Sequence, residues 1–242
     1  MAVTPVGDPR RHVVAIGGGG LSGSPGELAL RDYLLELSGK ANPRVCFVGT
    51  ASGDDDGYAE AFRASFRGRV DHVSRLTLLR PMTTPLAEHL HEQDIIYVGG
   101  GSAFHMLVLW RSRGLDGLLR QAWERGAVMC GVSAGAMCWF DSGIRGLGGN
   151  AFEPLAPFLG LIPGSNCPHY DSQPARRSSY VAMVADGRLP AGCALGDGAA
   201  ARFDGAEMAE VVTFGPTAGA FRVMPDPTGG IREDALPSRP LR

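Results

Sequence analysis

Lysine is almost missing from this 242-residue chain: Lys40 is the only one among 23 basic residues. Charge of either sign is not in excess, since 25 acidic residues against those 23 leave a formal net charge of -2. No Lys/Arg-rich run occurs, so the chain has no electrostatic footprint for nucleic acid or an anionic membrane. Long apolar runs are missing too. Nothing approaches the roughly 18 consecutive apolar residues of a membrane-spanning helix. The opening MAVTPVGDPRRHVVAIGGGG lacks the apolar stretch of a secretory signal, so a cytoplasmic protein is expected. The five cysteines (Cys46, Cys130, Cys138, Cys167, Cys193) form no C-x-x-C pair. Buried free thiols are therefore expected rather than disulfides or zinc. Internal repeats and linkers are lacking as well. A single domain over residues 1–242 follows, with a core at about 10–215 and a loose Pro-rich tail from Pro225.

What is present in surplus is glycine, at 35 residues about twice the usual share. Much of it falls where short β-branched runs stop. His12 to Ile16 ends in Gly17 to Gly20, and Asp94 to Val98 ends in Gly99 to Gly101. Between such runs lie stretches with helical spacing, among them Glu27 to Leu37, Tyr58 to Phe66, Ala103 to Arg111 and Leu115 to Arg125. This alternation predicts an α/β fold with a doubly wound, mostly parallel sheet, helices on both faces and a short antiparallel edge near the C-terminus. Residues 143–169 read as a long irregular stretch, a kind of segment that is usually functional.

Gly131-Val132-Ser133-Ala134-Gly135 fits G-x-S-x-G between a buried strand, Ala127 to Cys130, and a helix expected over Ala134 to Phe140. A sharp strand-to-helix turn of this type can hold a serine hydroxyl out above a sheet. The alternative is a tight turn whose serine caps the helix. A nucleophilic serine needs a base. Of six histidines, His169 stands apart, in the irregular stretch downstream of the elbow. Acyl transfer also needs an oxyanion site. The amide of Ala134 and the bare backbone at Gly100 or Gly101 are candidates, although a triple glycine also suits a simple tight turn.

The runs IIYVGGGSAF, GVSAGAMCWF and CPHYD, in that order, resemble the peptidase E family, serine peptidases that remove an N-terminal aspartate from dipeptides. The resemblance covers about residues 10–215. It implies a flavodoxin-like sheet related to class I glutamine amidotransferases and a cytoplasmic hydrolase acting on small peptides without metal or cofactor. Neither nucleic acid nor a membrane is an implied partner, and a homodimer is compatible. It also implies Ser133 as nucleophile, His169 as base, and an oxyanion hole at Gly100, Gly101 and Ala134. Arg176 and Arg177 fall near the family's carboxylate-binding arginine, although paired arginines are also common on surfaces.

Two departures stand out. Ser102 replaces an asparagine usual after the triple glycine, leaving a hydroxyl to meet the substrate. The family's third triad acid corresponds to Gly146, Leu147 and Gly148 here, so another carboxylate must orient His169. Glu153 is expected to serve, delivered by the loop, with Asp141 as the alternative. Asp171 lies too near His169 in sequence. Two other readings stay open: a β-aspartyl peptidase like the cyanophycin-degrading enzymes, and a non-catalytic ligand-binding descendant. Separately, Gly18-Gly19-Gly20-Leu21-Ser22-Gly23 fits the dinucleotide fingerprint G-x-G-x-x-G. That reading needs an acid at the end of the second strand, where Gly49-Thr50-Ala51 stands instead.

Overall fold

A computed structural model describes residues 11–21, 24–216 and 218–242. The strands in chain order are β1 (His12–Ile16), β2 (Val45–Val48), β3 (Val73–Leu76), β4 (Ile95–Val98), β5 (Val128–Val132), β6 (Phe140–Gly148) and β7 (Ala151–Leu155). They continue as β8 (Ile162–Pro168), β9 (Gly192–Leu195), β10 (Ala199–Asp204), β11 (Glu207–Thr213), β12 (Ala220–Pro225), β13 (Ile231–Ala235) and β14 (Ser238–Pro240). The helices are α1 (Pro25–Leu37), α2 (Asp56–Ser65), α3 (Leu86–His91), α4 (Ala103–Arg113), α5 (Leu115–Glu124), α6 (Ala134–Met137) and α7 (Pro174–Ala185).

The fold is α/β, as the alternation of elements predicts, but it has two sheets rather than one. The first has the order β14-β11-β10-β1-β5-β4-β2-β3. Its β1, β5, β4, β2 and β3 run parallel, and β10 and β11 add the expected antiparallel edge. The strands are short and apolar on both faces, as a sheet covered on both sides requires. Along β1, Val13 and Ala15 pack under α4 and α5 with Trp110 and Leu119, whereas Val14 and Ile16 pack under α1 and α2 with Leu30 and Phe62. This two-residue alternation divides one strand between two cores.

The second sheet has the order β13-β12-β9-β8-β6-β7, with β6, β8 and β9 parallel. It corrects the reading of residues 143–169 as irregular. Gly148 and Gly149 take φ values of 105° and 57°, and their positive φ turns β6 back into β7 as a hairpin. Glycines at this turn imitate a loop in sequence while serving a ladder. The helix after the elbow is also shorter than expected, stopping at Met137, because Phe140 already begins β6.

The tail from Pro225, expected to be loose, is paired: β13 lies antiparallel on β12, and β14 lies parallel on β11. Its anchor is polar. The Tyr170 hydroxyl donates to Glu233 of β13, which also pairs with Arg177 at 2.8 Å. All five cysteines are free and buried, as expected. Burial pushes the thiols of Cys46 and Cys193 up to about 12, which leaves no thiolate to act as a nucleophile near neutral pH. No helix among the described residues is long and apolar enough to cross a membrane.

Trp110 is fully buried and its indole N–H donates to Thr50 Oγ1 at 3.2 Å, tying α4 to the segment after β2. Trp110→Ala is expected to cost about 3–5 kcal/mol in denaturant unfolding, and a change below about 1 kcal/mol would show that this core face does not carry the fold.

Candidate active site

Ser133 follows β5, which lies between β1 and β4 in the first sheet. Open α/β sheets form their ligand crevice at such carboxyl ends. Its backbone is strained, at φ 56° and ψ -109°, a conformation that costs a non-glycine residue about 1–3 kcal/mol. The surroundings enforce it. The Ser133 amide donates to the Ile16 carbonyl at 3.0 Å, and Gly135 lies so close to β4 that a Cβ there would sit 2.1 Å from the Val98 oxygen. The G-x-S-x-G spacing therefore records a close approach of two backbones.

His169 follows β8 and also has positive φ, at 57°. Its Nε2 lies 2.9 Å from Ser133 Oγ, and its Nδ1 lies 2.7 Å from Asp197 Oδ1. Ser133, His169 and Asp197 thus form one hydrogen-bonded line. The carboxylate on His169 is Asp197, and neither Glu153 nor Asp141 takes that place. Glu153 belongs to β7 and pairs across the ladder with Arg145 of β6, whose Nε donates to it at 2.6 Å. Asp141 accepts the Gly164 amide at 2.8 Å. Asp171 serves one step behind, accepting the Asp197 amide at 2.9 Å.

Asp197 lies in Leu195-Gly196-Asp197-Gly198, directly after β9, inside a run that reads in sequence as an edge hairpin. An acid between two glycines at a strand end was the available signal. Gly18 completes the arrangement through a bridge to Asp197. A Cβ on Gly18 would lie 1.7 Å from Asp197 Oδ1 and 2.7 Å from His169 Nδ1, so the histidine–aspartate contact occupies the space a side chain would need.

A small cleft of about 80 Å³ opens beside Ser133, bordered by Gly101, Ser102, Phe104, Arg145 and Arg176 among others. Ser102 caps α4, accepting the His105 amide at 3.3 Å. The Gly100 amide donates to the Tyr58 hydroxyl at 3.4 Å. Among the described residues, the amides of Gly101 and Ala134 are given to no other acceptor.

A sequence model of peptidase family S51 matches residues 13–211. The chain belongs to peptidase family S51. It is 41% identical over 216 residues to the uncharacterized peptidase YgaJ of Bacillus subtilis (strain 168), covering 88% of this chain and 92% of that protein. The crystal structure of a peptidase from an acI-B1 Actinobacterium superposes with a TM-score of 0.73 at 15% identity, over 96% of both chains. A candidate peptidase E protein from Listeria monocytogenes EGD-e superposes with a TM-score of 0.60 at 18% identity, over 83% of this chain and 97% of that one. These two likenesses establish the fold, and the resemblance to peptidase E holds.

Within this S51 peptidase the two arginines separate. Arg177 pairs with Glu233 and stacks over Tyr170, and it does not line the cleft. Arg176 borders the cleft, donates to the Ile144 carbonyl at 3.0 Å and to Gln173 Oε1 at 2.8 Å, and has no carboxylate partner among the described residues. Burial lowers its pKa from the ordinary arginine value, which is the cost of holding an unpaired cation away from water. The dinucleotide reading finds no support at the second strand. Asp54 is buried, with its carboxylate accepting the amides of Leu78 and Leu79 at 2.8 and 2.9 Å. Ser22 and Gly23 of that motif lie outside the described residues.

Gly18→Ala is expected to leave a folded protein whose His169 ring has been parted from Asp197. Proton NMR checks this: the low-field Nδ1 proton of His169 disappears in the variant, and its survival would contradict the steric argument.

Proposed function

We propose that this peptidase hydrolyses the bond after an N-terminal aspartate in small peptides, through an acyl-enzyme on Ser133. The observation that carries the proposal is the line Ser133 Oγ, His169 Nε2, His169 Nδ1 and Asp197 Oδ1, with contacts of 2.9 and 2.7 Å. Serine is a poor nucleophile without a base, and an imidazole held by a carboxylate supplies one in a fixed tautomer.

In the first half-reaction Ser133 Oγ attacks the substrate carbonyl carbon while its proton passes to His169 Nε2. The negative oxygen is received by backbone amides, with Ala134 and Gly101 as the candidates; Gly100 must first leave Tyr58 to take part. The C–N bond then breaks and His169 returns the proton to the departing amine. Water repeats the sequence on the ester, releasing the acid and restoring the serine hydroxyl. Asp197 keeps its charge throughout and stabilises the imidazolium. No metal or cofactor enters this scheme. Arg176, a guanidinium beside the nucleophile with no carboxylate partner among the described residues, supports an acidic side chain at the residue whose carbonyl is attacked. Asp197 on His169 supports the catalytic reading over the non-catalytic one.

A fluorophosphonate is expected to label wild-type protein at Ser133 and to leave Ser133→Ala unlabelled. Asp197→Asn is expected to lower kcat by about 10^4-fold on an Asp-X dipeptide, whereas Asp141→Asn stays within about threefold. Failure of folded wild-type protein to be labelled defeats the proposal. A kinetic panel of Asp-X, β-Asp-X and neutral dipeptides separates the aspartyl from the β-aspartyl specificity.

A further inference from the structure

The β6–β7 hairpin brings a second guanidinium to the cleft. Arg145 borders it from β6, as Arg176 does from α7. Each is braced on an aromatic ring, Arg145 over Phe104 at 4.3 Å and Arg176 over Phe152 at 5.0 Å. They differ in charge balance. Arg176 has no carboxylate partner among the described residues, whereas Arg145 is paired with Glu153, which stands directly opposite it on the ladder.

Glu153 is the more exposed partner, its side chain 39% exposed against 25% for Arg145. A partly exposed ion pair of this type is worth only about 0–1 kcal/mol, so a second carboxylate with better geometry can displace Glu153 from Arg145. The intrinsic groups then number two guanidiniums and one carboxylate. An acidic dipeptide carries two carboxylates, one on its side chain and one at its C-terminus, to set against the two guanidiniums.

We propose that Arg145, released from Glu153, binds the free C-terminal carboxylate of the substrate and so restricts this site to dipeptide-sized acidic peptides. Arg145 borders the Ser133 cleft, braced on Phe104 and held by the exchangeable carboxylate of Glu153. The inference deepens the proposed function and rests on its substrate reading, an acidic dipeptide in the cleft beside Ser133, but not on the acyl-enzyme step. It assigns Glu153 a role in specificity rather than in orienting His169.

The test measures binding, so that it does not depend on turnover. Calorimetric titration of Ser133→Ala protein with Asp-Leu and with its C-terminal amide compares two ligands that differ only in the charge Arg145 is assigned to read. The free acid is expected to bind about 10- to 100-fold more tightly, the range for a charge-assisted, two-pronged contact. With Arg145→Gln added, the two affinities come within about twofold. Arg145→Lys, which keeps the charge but not the planar fork, retains part of the preference and serves if the glutamine variant does not fold. Glu153→Gln, by removing the competing carboxylate, tightens the free acid severalfold and leaves the amide unchanged. A ratio near one in the Ser133→Ala protein, persistence of the preference without Arg145, or no binding of either peptide overturns the assignment. Failure of Ser133 labelling in the wild type defeats the acyl-enzyme mechanism alone, and the binding ratio still decides the role of Arg145.

Discussion

The site depends on a backbone seam at Gly17 and Gly18, where the two sheets are hydrogen-bonded to one another. Gly198, between β9 and β10, donates its amide to Gly18 at 3.0 Å, and His169, after β8, donates to Gly17 at 3.3 Å, while the Gly17 amide continues the β1–β10 ladder of the first sheet to Ala199 at 2.9 Å. Ser133 comes from the first sheet, while His169 and Asp197 follow strands of the second. A relay divided between two sheets stays in line only if they do not slide, and an error of about 1 Å is enough to spoil a catalytic constellation. Each bond across the seam contributes only about 1 kcal/mol net, but both act at the same place. The absence of a side chain on Gly18 lets the seam close onto the histidine–aspartate contact.

Strain is concentrated around the same seam. Ser133 and His169 both have positive φ without being glycine, and the structure over-determines each of them. Ser133 is held by the Ile16 carbonyl on one side, with Gly135 against Val98 on the other. His169 is held by the Gly17 carbonyl and followed by Tyr170, which is anchored to Glu233 of β13. The C-terminal hairpin therefore supports the segment that carries His169, although it lies beyond residue 211, where the family match ends. Burial and the neighbouring Glu233 push the Tyr170 pKa well above its ordinary value, so its hydroxyl stays protonated and donates across the working pH range.

Charge in the cleft follows the same economy. The two arginines beside Ser133 are stacked on rings, which fixes the direction of each guanidinium. Among the described residues one has a carboxylate partner and the other does not, which leaves a positive charge bordering the cleft.

By itself the sequence determined the local features. The alternation of short apolar strands with helical spacing specified the α/β class, and the two glycines around Ser133 marked the elbow, because no other residue tolerates that approach to β4. His169 was recognisable from its place in CPHYD. What only the tertiary structure decided was which distant groups meet. Asp197 reaches His169 because β9 lies beside β8 in a second sheet, 28 positions further along the chain, and no local periodicity records a pairing between strands so far apart. Glu153 and Asp141 are nearer in sequence to Ser133, yet one is taken by Arg145 and the other by Gly164. The glycines at 148 and 149 read as a loop because a tight turn and an irregular segment use the same residue, and only the ladder between β6 and β7 distinguishes them. Backbone sterics are written in the sequence; the partner of a buried or charged side chain is set by strand order, which the chain expresses only after it has folded.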